Sequence, residues 1–182
     1  GLWNNHKIEE VASPEGFEKN PQLVLDFYNA RRRQLDEVNP NEAHHLIAQL
    51  ETKYNVTIIT QNIDDLHERA GSTNVLHLHG ELRKCRSSKN PNLIYTCTQD
   101  IKLGDLASDG NQLRPHIVWF GEAVTEIEKA IAITQSADLF VIVGTSMVVH
   151  PAASLLLAVP VDVQTVYIDT NPNVEVGINL LV

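Results

Sequence analysis

Residues 138–146 read DLFVIVGTS, an unbroken apolar run, LFVIV (139–143), closed by a glycine and two hydroxyl residues. A run without polar alternation suits a parallel strand buried on both faces, and the polar turn after it suits entry into a helix. Outward from this stretch the same rhythm recurs. VTIIT (56–60), NVLHLHG (74–80), IVWF (117–120) and VQTVYID (163–169) read as strands, β-branched or alternating. DDLHERAG (64–71), stopped by Gly71, and segments at about 125–136 and 151–158 read as the helices between them. Alternating strands and helices predict an α/β fold with a doubly wound parallel sheet.

The N-terminal part differs. Residues 1–20 read as irregular, with Pro14 and Gly16 as breakers. Asn20-Pro21 opens a helix to about Glu37, with proline in the first turn. Asn39-Pro40 repeats that start, Glu42 stands where a capping box needs it, and Ala43, Leu46, Ile47 and Leu50 form the stripe of a core-facing helix. Residues 83–113 are polar and aperiodic, and read as a small inserted module within one domain.

Composition narrows the function classes. The 182 residues are enough for a core without disulfide or metal staples. Lys and Arg total 14 against 23 Asp and Glu, a net charge of −9, which disfavours nucleic acid and anionic membranes as partners. No apolar run approaches the ~18 residues of a membrane span, and no signal-peptide layout opens the chain. A cytoplasmic location is expected. The two cysteines, Cys85 and Cys97, exclude a disulfide-rich scaffold and a four-cysteine zinc site.

Polar clusters follow the strands directly: TQNID (60–64), HGE (79–81), FGE (120–122), GTS (144–146) and DTNP (169–172). Open α/β sheets bind ligands beyond the carboxyl ends of their strands. One such cluster is an ordinary polar loop; five in that position describe a composite site. Gly144, Thr145 and Ser146 can offer N–H groups and hydroxyls to a phosphate, and Asp169 or Asn171 a hydrogen bond to a ribose. This is Rossmann-like logic, although G-x-G-x-x-G is absent. His77 and His79 fall on one face of their strand by period-two alternation. His79, at the strand end before Gly80, is the candidate general base and His77 a structural residue. In the first long helix Val24, Phe27, Tyr28, Arg31 and Leu35 share a stripe, with Arg32 and Arg33 turned to solvent. Arg31 on that stripe either pairs with one of the acids or, together with Tyr28, receives a substrate carboxylate.

Five segments together carry a resemblance: TQNIDDLHERAG (60–71), LHLHGEL (76–82), LRPHIVWFGE (113–122), VGTSMVVHPAA (143–153) and IDTNP (168–172). They resemble the sirtuins, NAD-dependent protein-lysine deacylases, in order and spacing over nearly the whole chain. GLW (1–3) and YNARRR (28–33) are similar to the bacterial class III, desuccinylase-type branch, whose Y-x-x-R pair falls on Tyr28 and Arg31. The resemblance implies NAD as cofactor and acylated-lysine proteins or peptides as substrates, with succinyl and malonyl favoured and acetyl accepted. It makes His79 the base on the cofactor ribose. Gln61, Asn62, Ile63 and Asp64 then line the ribose and nicotinamide pocket, with Asn62 and Asp64 close to the chemistry. Gly144, Thr145 and Ser146 hold phosphate and ribose, and Asn171 lies by the adenosine. Val118, Gly121 and Glu122 pair with substrate backbone as an added strand.

The chain departs from the family pattern in three ways. The usual two CxxC pairs that hold zinc are reduced to Cys85 and Cys97, so no metal is expected. The Gly-rich phosphate segment expected ahead of Gly1 and the final strand and helix expected after INLLV lie outside the sequence, which reads as the middle of a larger enzyme. A non-catalytic acyl-lysine or ADP-ribose reader and a protein ADP-ribosyltransferase are the alternative functions. Oligomeric state is left open.

Overall fold

Prolines and asparagines start the N-terminal helices. In the computed structural model, which describes residues 6–145, 150–170 and 180–181, Ser13 caps α2 (Pro14–Lys19) through Gly16 N and Asn20 caps α3 (Pro21–Gln34) through Leu23 N. A further short helix, α1 (Ile8–Val11), precedes them, so the region expected to be irregular is helical. Its side chains explain why: Val11, Val24, Phe27, Tyr28 and Leu35 share one core with Leu82, Ile117 and Trp119. Packing supplies what propensity lacks in such short pieces.

The chain forms two compact units, residues 1–123 and 124–182. In the first, α4 (Glu42–Leu50) leads to β1 (Ile58–Thr60), α5 (Leu66–Ala70) and β2 (Val75–His77), and β1 and β2 pair in parallel, Ile58 opposite Val75. Then β3 (Gly80–Ser87) takes the centre of an antiparallel sheet, between β4 (Ile94–Thr96) and β5 (Leu113–Ile117). The second unit holds α6 (Ile127–Gln135), β6 (Leu139–Val143), a 3-10 helix (Ala152–Ala158), β7 (Gln164–Ile168) and β8 (Leu180–Leu181), with β6–β7–β8 parallel. The α/β class and the parallel βαβ units agree with the sequence reading. The region 83–113 is not aperiodic: β3 runs well into it and β4 folds back on β3.

Several local expectations need correction. The cap of α4 is Asn41 with His44, reciprocally bonded, and not Asn39 with Glu42. Its stripe faces outward: no residue of α4 is buried, and Leu46 is 54% exposed. β5 occupies 113–117 and ends before Trp119, where the chain turns through Gly121 at φ +89°. LFVIV is not buried on both faces, since Leu139, Val141 and Val143 are exposed and only Ile142 is buried. Among the described residues β6 pairs only with β7, so its other edge has no strand partner there. Finally, Arg32 does not point to solvent. It is 1% exposed, because α3 is enclosed on two sides, by the core above and by a second cluster of Leu25, Cys85 and Ile101.

Candidate active site

The site in the first unit begins where β1 ends. Thr60 turns the chain by accepting Asn62 N–H on its hydroxyl (3.1 Å), and its carbonyl accepts Leu78 N–H (2.9 Å). Both histidines of LHLHG then grip the same peptide run. His77 Nδ1 lies 3.0 Å from the Asn62 carbonyl, and His79 Nδ1 lies 3.2 Å from the Gln61 carbonyl. A bulge in β3 between Glu81 and Cys85 completes the fastening. It frees the backbone of Leu82, whose N–H donates to the Ile63 carbonyl (2.8 Å) and whose carbonyl accepts Arg32 Nε (2.8 Å). Asp64 accepts Leu66 N–H (3.1 Å) and so starts α5. Gln61, Asn62, Ile63 and Asp64 are therefore held through backbone and turn, with Gln61 half-buried and Asn62 exposed. Among the described residues no hydrogen bond engages the side-chain amides of Gln61 and Asn62.

This geometry decides the tautomer of His79. A carbonyl only accepts, so Nδ1 carries the hydrogen and Nε2 keeps its lone pair. Burial lowers the His79 pKa from its ordinary value, opposed by the Gln61 bond, so the ring is neutral near pH 7. A half-buried neutral imidazole with a fixed tautomer can take a proton at Nε2. His77 is held at both ends, since its Nε2 meets Glu68 Oε1 at 2.7 Å. β2 stops at His77 and His79 lies in the turn beyond it, yet both rings reach the same Gln61–Asn62 run, as the period-two alternation predicts. Gly80 makes that turn at φ +82°, and a Cβ there would lie 2.0 Å from the His116 carbonyl oxygen. Only glycine fits behind His79.

Tyr28 and Arg31 sit three residues apart on α3, with different surroundings. Tyr28 is 2% exposed, and its hydroxyl accepts Trp119 Nε1–H (3.1 Å). Burial foremost pushes its pKa up, so it is a neutral phenol whose own hydrogen remains a donor. Arg31 is half-buried, with its guanidinium 4.6 Å from the centre of the Phe27 ring, and it lines a cavity of about 200 Å³ with His6, Leu23, Asp26, Phe27 and Ala30.

Glu122 is held by a cluster that the sequence reading did not anticipate. It accepts from Arg114 Nη1 (2.6 Å) and Nη2 (3.0 Å), Arg86 Nη2 (3.1 Å) and Trp119 N–H (2.8 Å). Burial raises its pKa, but the Arg114 and Trp119 bonds and both guanidinium charges outweigh it, leaving the carboxyl below the usual range. Arg114 in turn lies 3.3 Å from the Trp119 ring centre. The N–H groups of Val118 and Glu122 go to the carbonyls of His79 (2.9 Å) and Trp119 (3.0 Å), while Gly121 is exposed at the turn. The sequence signal for this cluster was an arginine beside a proline in LRPHIVWFGE, eight residues before a glutamate.

In the second unit Gly144 ends β6 at φ +60°, with open space where a Cβ would stand, and its N–H donates to the Ile168 carbonyl (3.0 Å). The Thr145 carbonyl accepts the Tyr167 hydroxyl. Ser146 and Asn171 lie outside the described residues. Among the described residues, the group able to offer three metal-ligand atoms is Glu68, His77 and Glu81. Two of these already form the His77–Glu68 pair, and Glu81 meets Lys84 at 2.5 Å. No described helix is long and apolar enough to cross a membrane.

The family model of the Sir2 family matches residues 1–151. The chain belongs to that family. A Helicobacter pylori relative named NAD-dependent protein deacylase is 60% identical over 169 residues, covering 93% of this chain and 74% of the relative. The fold follows suit. A Sir2 homologue in complex with NAD superposes with a TM-score of 0.88 at 38% identity, over all of this chain and 74% of that one. Sir2Tm bound to a propionylated peptide gives 0.81 at 31% identity, over 95% of this chain and 77% of that one. The α/β Sir2 fold is thereby common to this chain and to proteins solved with cofactor and with acyl peptide.

Proposed function

We propose that this chain acts on lysine acyl groups that end in a carboxylate, with Tyr28 and Arg31 reading the acid. The reaction class is that of its close relatives: NAD-dependent deacylation of protein lysines, with NAD as cofactor and acylated proteins or peptides as substrates. The observation that carries the chemistry is the His79 tautomer, fixed by the Gln61 carbonyl with Nε2 left as acceptor.

The donor set fits the cofactor. Gln61 and Asn62 present neutral amides suited to a carboxamide and ribose hydroxyls, on a backbone already satisfied by Thr60, His77, His79 and Leu82. Ile63 adds an apolar wall and Asp64 closes the turn. When bound, NAD supplies an electrophilic ribose carbon and nicotinamide as leaving group. His79 Nε2 takes the proton of a ribose hydroxyl, and its neutral state near pH 7 makes that possible without prior deprotonation. In the second unit, Gly144 and Thr145 would offer phosphate and ribose contacts, with Ser146 and Asn171 extending the set in sequence. Gly121 and the carbonyl side of Val118 are the backbone groups offered to a substrate strand. Glu122 shapes that segment through Trp119 and Arg114.

The acyl preference rests on α3. A guanidinium half-shielded against Phe27 and a buried phenol with a spare hydrogen form a cationic and neutral donor pair for a carboxylate. Arg31→Met tests it. Desuccinylation should fall by about 10- to 100-fold in kcat/KM, the ~1.5–3 kcal/mol of a charged hydrogen bond, while deacetylation holds. Equal losses on both substrates would remove the acid-reading role and leave the deacylase assignment standing.

A further inference from the structure

Cys85 and Cys97 take no part in the chemistry above, yet the fold brings them together around a buried cation. Cys85 stands opposite Tyr95 in the antiparallel β3–β4 register. Cys97 N–H donates to the Arg83 carbonyl (2.7 Å), which carries that ladder one pair beyond β4. Cys97 is two residues from Tyr95, so the two cysteines lie diagonally on one face of the ribbon. Both are free thiols. Cys85 is 2% exposed, and half-buried Cys97 packs against the cluster of Leu25, Cys85 and Ile101, with its Sγ donating to the Gln99 carbonyl (3.3 Å).

Arg32 supplies the second observation. Its Nε donates to the Leu82 carbonyl and its Nη1 to Asn29 Oδ1, both at 2.8 Å. Its Nη2 is buried with no hydrogen-bond partner among the described residues. A guanidinium enclosed with only neutral acceptors is costly unless negative charge lies near. Burial lowers the Arg32 pKa from its ordinary value, and nearby Cys97, Cys85 and Asp100 act in the opposite direction. The neighbouring Cys85 above all, and then the Arg32 charge, outweigh burial and the opposing Asp105 to bring Cys97 down to about 7, while Cys85 is pushed up. One thiol is thus accessible and readily ionised, and its neighbour is enclosed and protonated.

We propose that Cys97 and Cys85 form a reversible dithiol–disulfide site for hydroperoxides, with Cys97 as the attacking thiolate and Cys85 as the resolving thiol. The Cys97 sulfur attacks the peroxide oxygen and the O–O bond breaks. The departing hydroxide takes a proton and leaves as water, and sulfur is oxidised to a sulfenic acid. Cys85 gives up its proton and attacks that sulfur. The S–O bond breaks, a second water leaves and the S–S bond forms. Two electrons pass from the thiol pair to the peroxide, and an external dithiol returns them by exchange. The two cysteines, neighbours on one face of the ribbon, then close to the ~2.05 Å of a disulfide.

The reduced 182-residue chain is treated with equimolar hydrogen peroxide and then alkylated under denaturing conditions. Alkylatable thiols should fall from two to none and the intact mass by two hydrogens, with a peptide map joining residues 85 and 97 and dithiothreitol reversing both. In the untreated protein at pH 7, iodoacetamide should modify Cys97 at least ~10-fold faster than Cys85. Cys85→Ser should trap a dimedone-reactive sulfenic acid on Cys97, and Cys97→Ser should leave Cys85 reduced. The site is refuted if both thiols survive peroxide, if oxidation runs to sulfinic acid without an intramolecular bond, or if the purified chain carries stoichiometric zinc on the two sulfurs.

Discussion

Replacing Glu122 by glutamine tests whether the Arg114–Glu122–Trp119 cluster holds the segment proposed for substrate, residues 118–122, in place. The substitution keeps volume and shape and removes the charge. Glu122 now accepts five hydrogen bonds from four donor nitrogens, three of them guanidinium nitrogens. A glutamine offers one carbonyl oxygen and turns an NH2 group toward the other donors. Arg114, with its side chain 6% exposed, is then a buried cation facing a neutral group. Breaking a buried pair costs ~3–5 kcal/mol. The Glu122 side chain is 20% exposed, and Arg114 keeps both the Ile117 carbonyl (2.8 Å) and the Trp119 ring, so the lower end applies. About 3 kcal/mol is expected, a fall in Tm of roughly 10 °C for a unit of this size. Urea unfolding followed by tryptophan fluorescence measures it, since Trp119 is one of two tryptophans and sits at 2% exposure. Arg114→Met in the Glu122→Gln background should recover much of the loss, because the uncompensated charge is then gone. A loss under ~1 kcal/mol, or strictly additive double-variant energies, would refute the reasoning and return Glu122 to a role in contact with substrate alone.

The same carboxyl has a pH signature. Its folded pKa lies below the unfolded value, so its stabilisation is present above about 4.3 and is lost as pH falls through the folded value. Wild-type urea midpoints should therefore drop more steeply than those of Glu122→Gln below pH 4.3. His79→Asn should lower kcat by about 10²- to 10⁴-fold, with the far-UV spectrum unchanged. Because burial depresses the His79 pKa, the acid limb of kcat/KM should lie below the ~6.5 of an ordinary imidazole, and a limb above it would contradict the Gln61-bonded neutral ring. Gly80→Ala should cost more than ~3 kcal/mol or prevent folding, since the added carbon meets backbone at a positive φ; a thermal melt that matches wild type would show the turn to be deformable.

What could be read from the residues follows from how local each determinant is. Strand and helix order depends on periodicity and punctuation within ten or so residues, and most elements appear close to their expected places. Burial does not depend on such short windows. The wheel for α3 selected Arg31 because it assumed one core face. The helix is in fact enclosed on two, and the residue that loses water is Arg32, whose partners Leu82 and Asn29 lie 50 and three residues away. Likewise LFVIV and the Leu46–Leu50 stripe have the composition of buried surface, but nothing in a sequence window says which layer, if any, covers them. The extent of β5 was misjudged for a related reason: Arg114 and Pro115 look unlike strand residues until the bulge in β3 sets Pro115 against Cys85, and Glu122 receives the guanidinium.

The bulge also explains how a chain with so many short elements keeps a rigid site. Leu82 is the one residue of β3 whose N–H reaches the QNID run and whose carbonyl reaches the buried guanidinium. Two residues before it, Gly80 presses against the His116 carbonyl, and the His79 carbonyl accepts Val118 N–H. His79, the amide-bearing loop and the turn at Gly121 are therefore all tied to backbone atoms of residues 79–82. Side-chain substitutions at Glu81 or Leu82 should move them less than any change that shifts the bulge. In free-energy terms this places preorganisation in main-chain hydrogen bonds, which cost no side-chain entropy to hold. Inserting one residue between Glu81 and Cys85 should accordingly abolish deacylation, whereas Leu82→Ile, which alters the core but keeps both backbone bonds, should retain it.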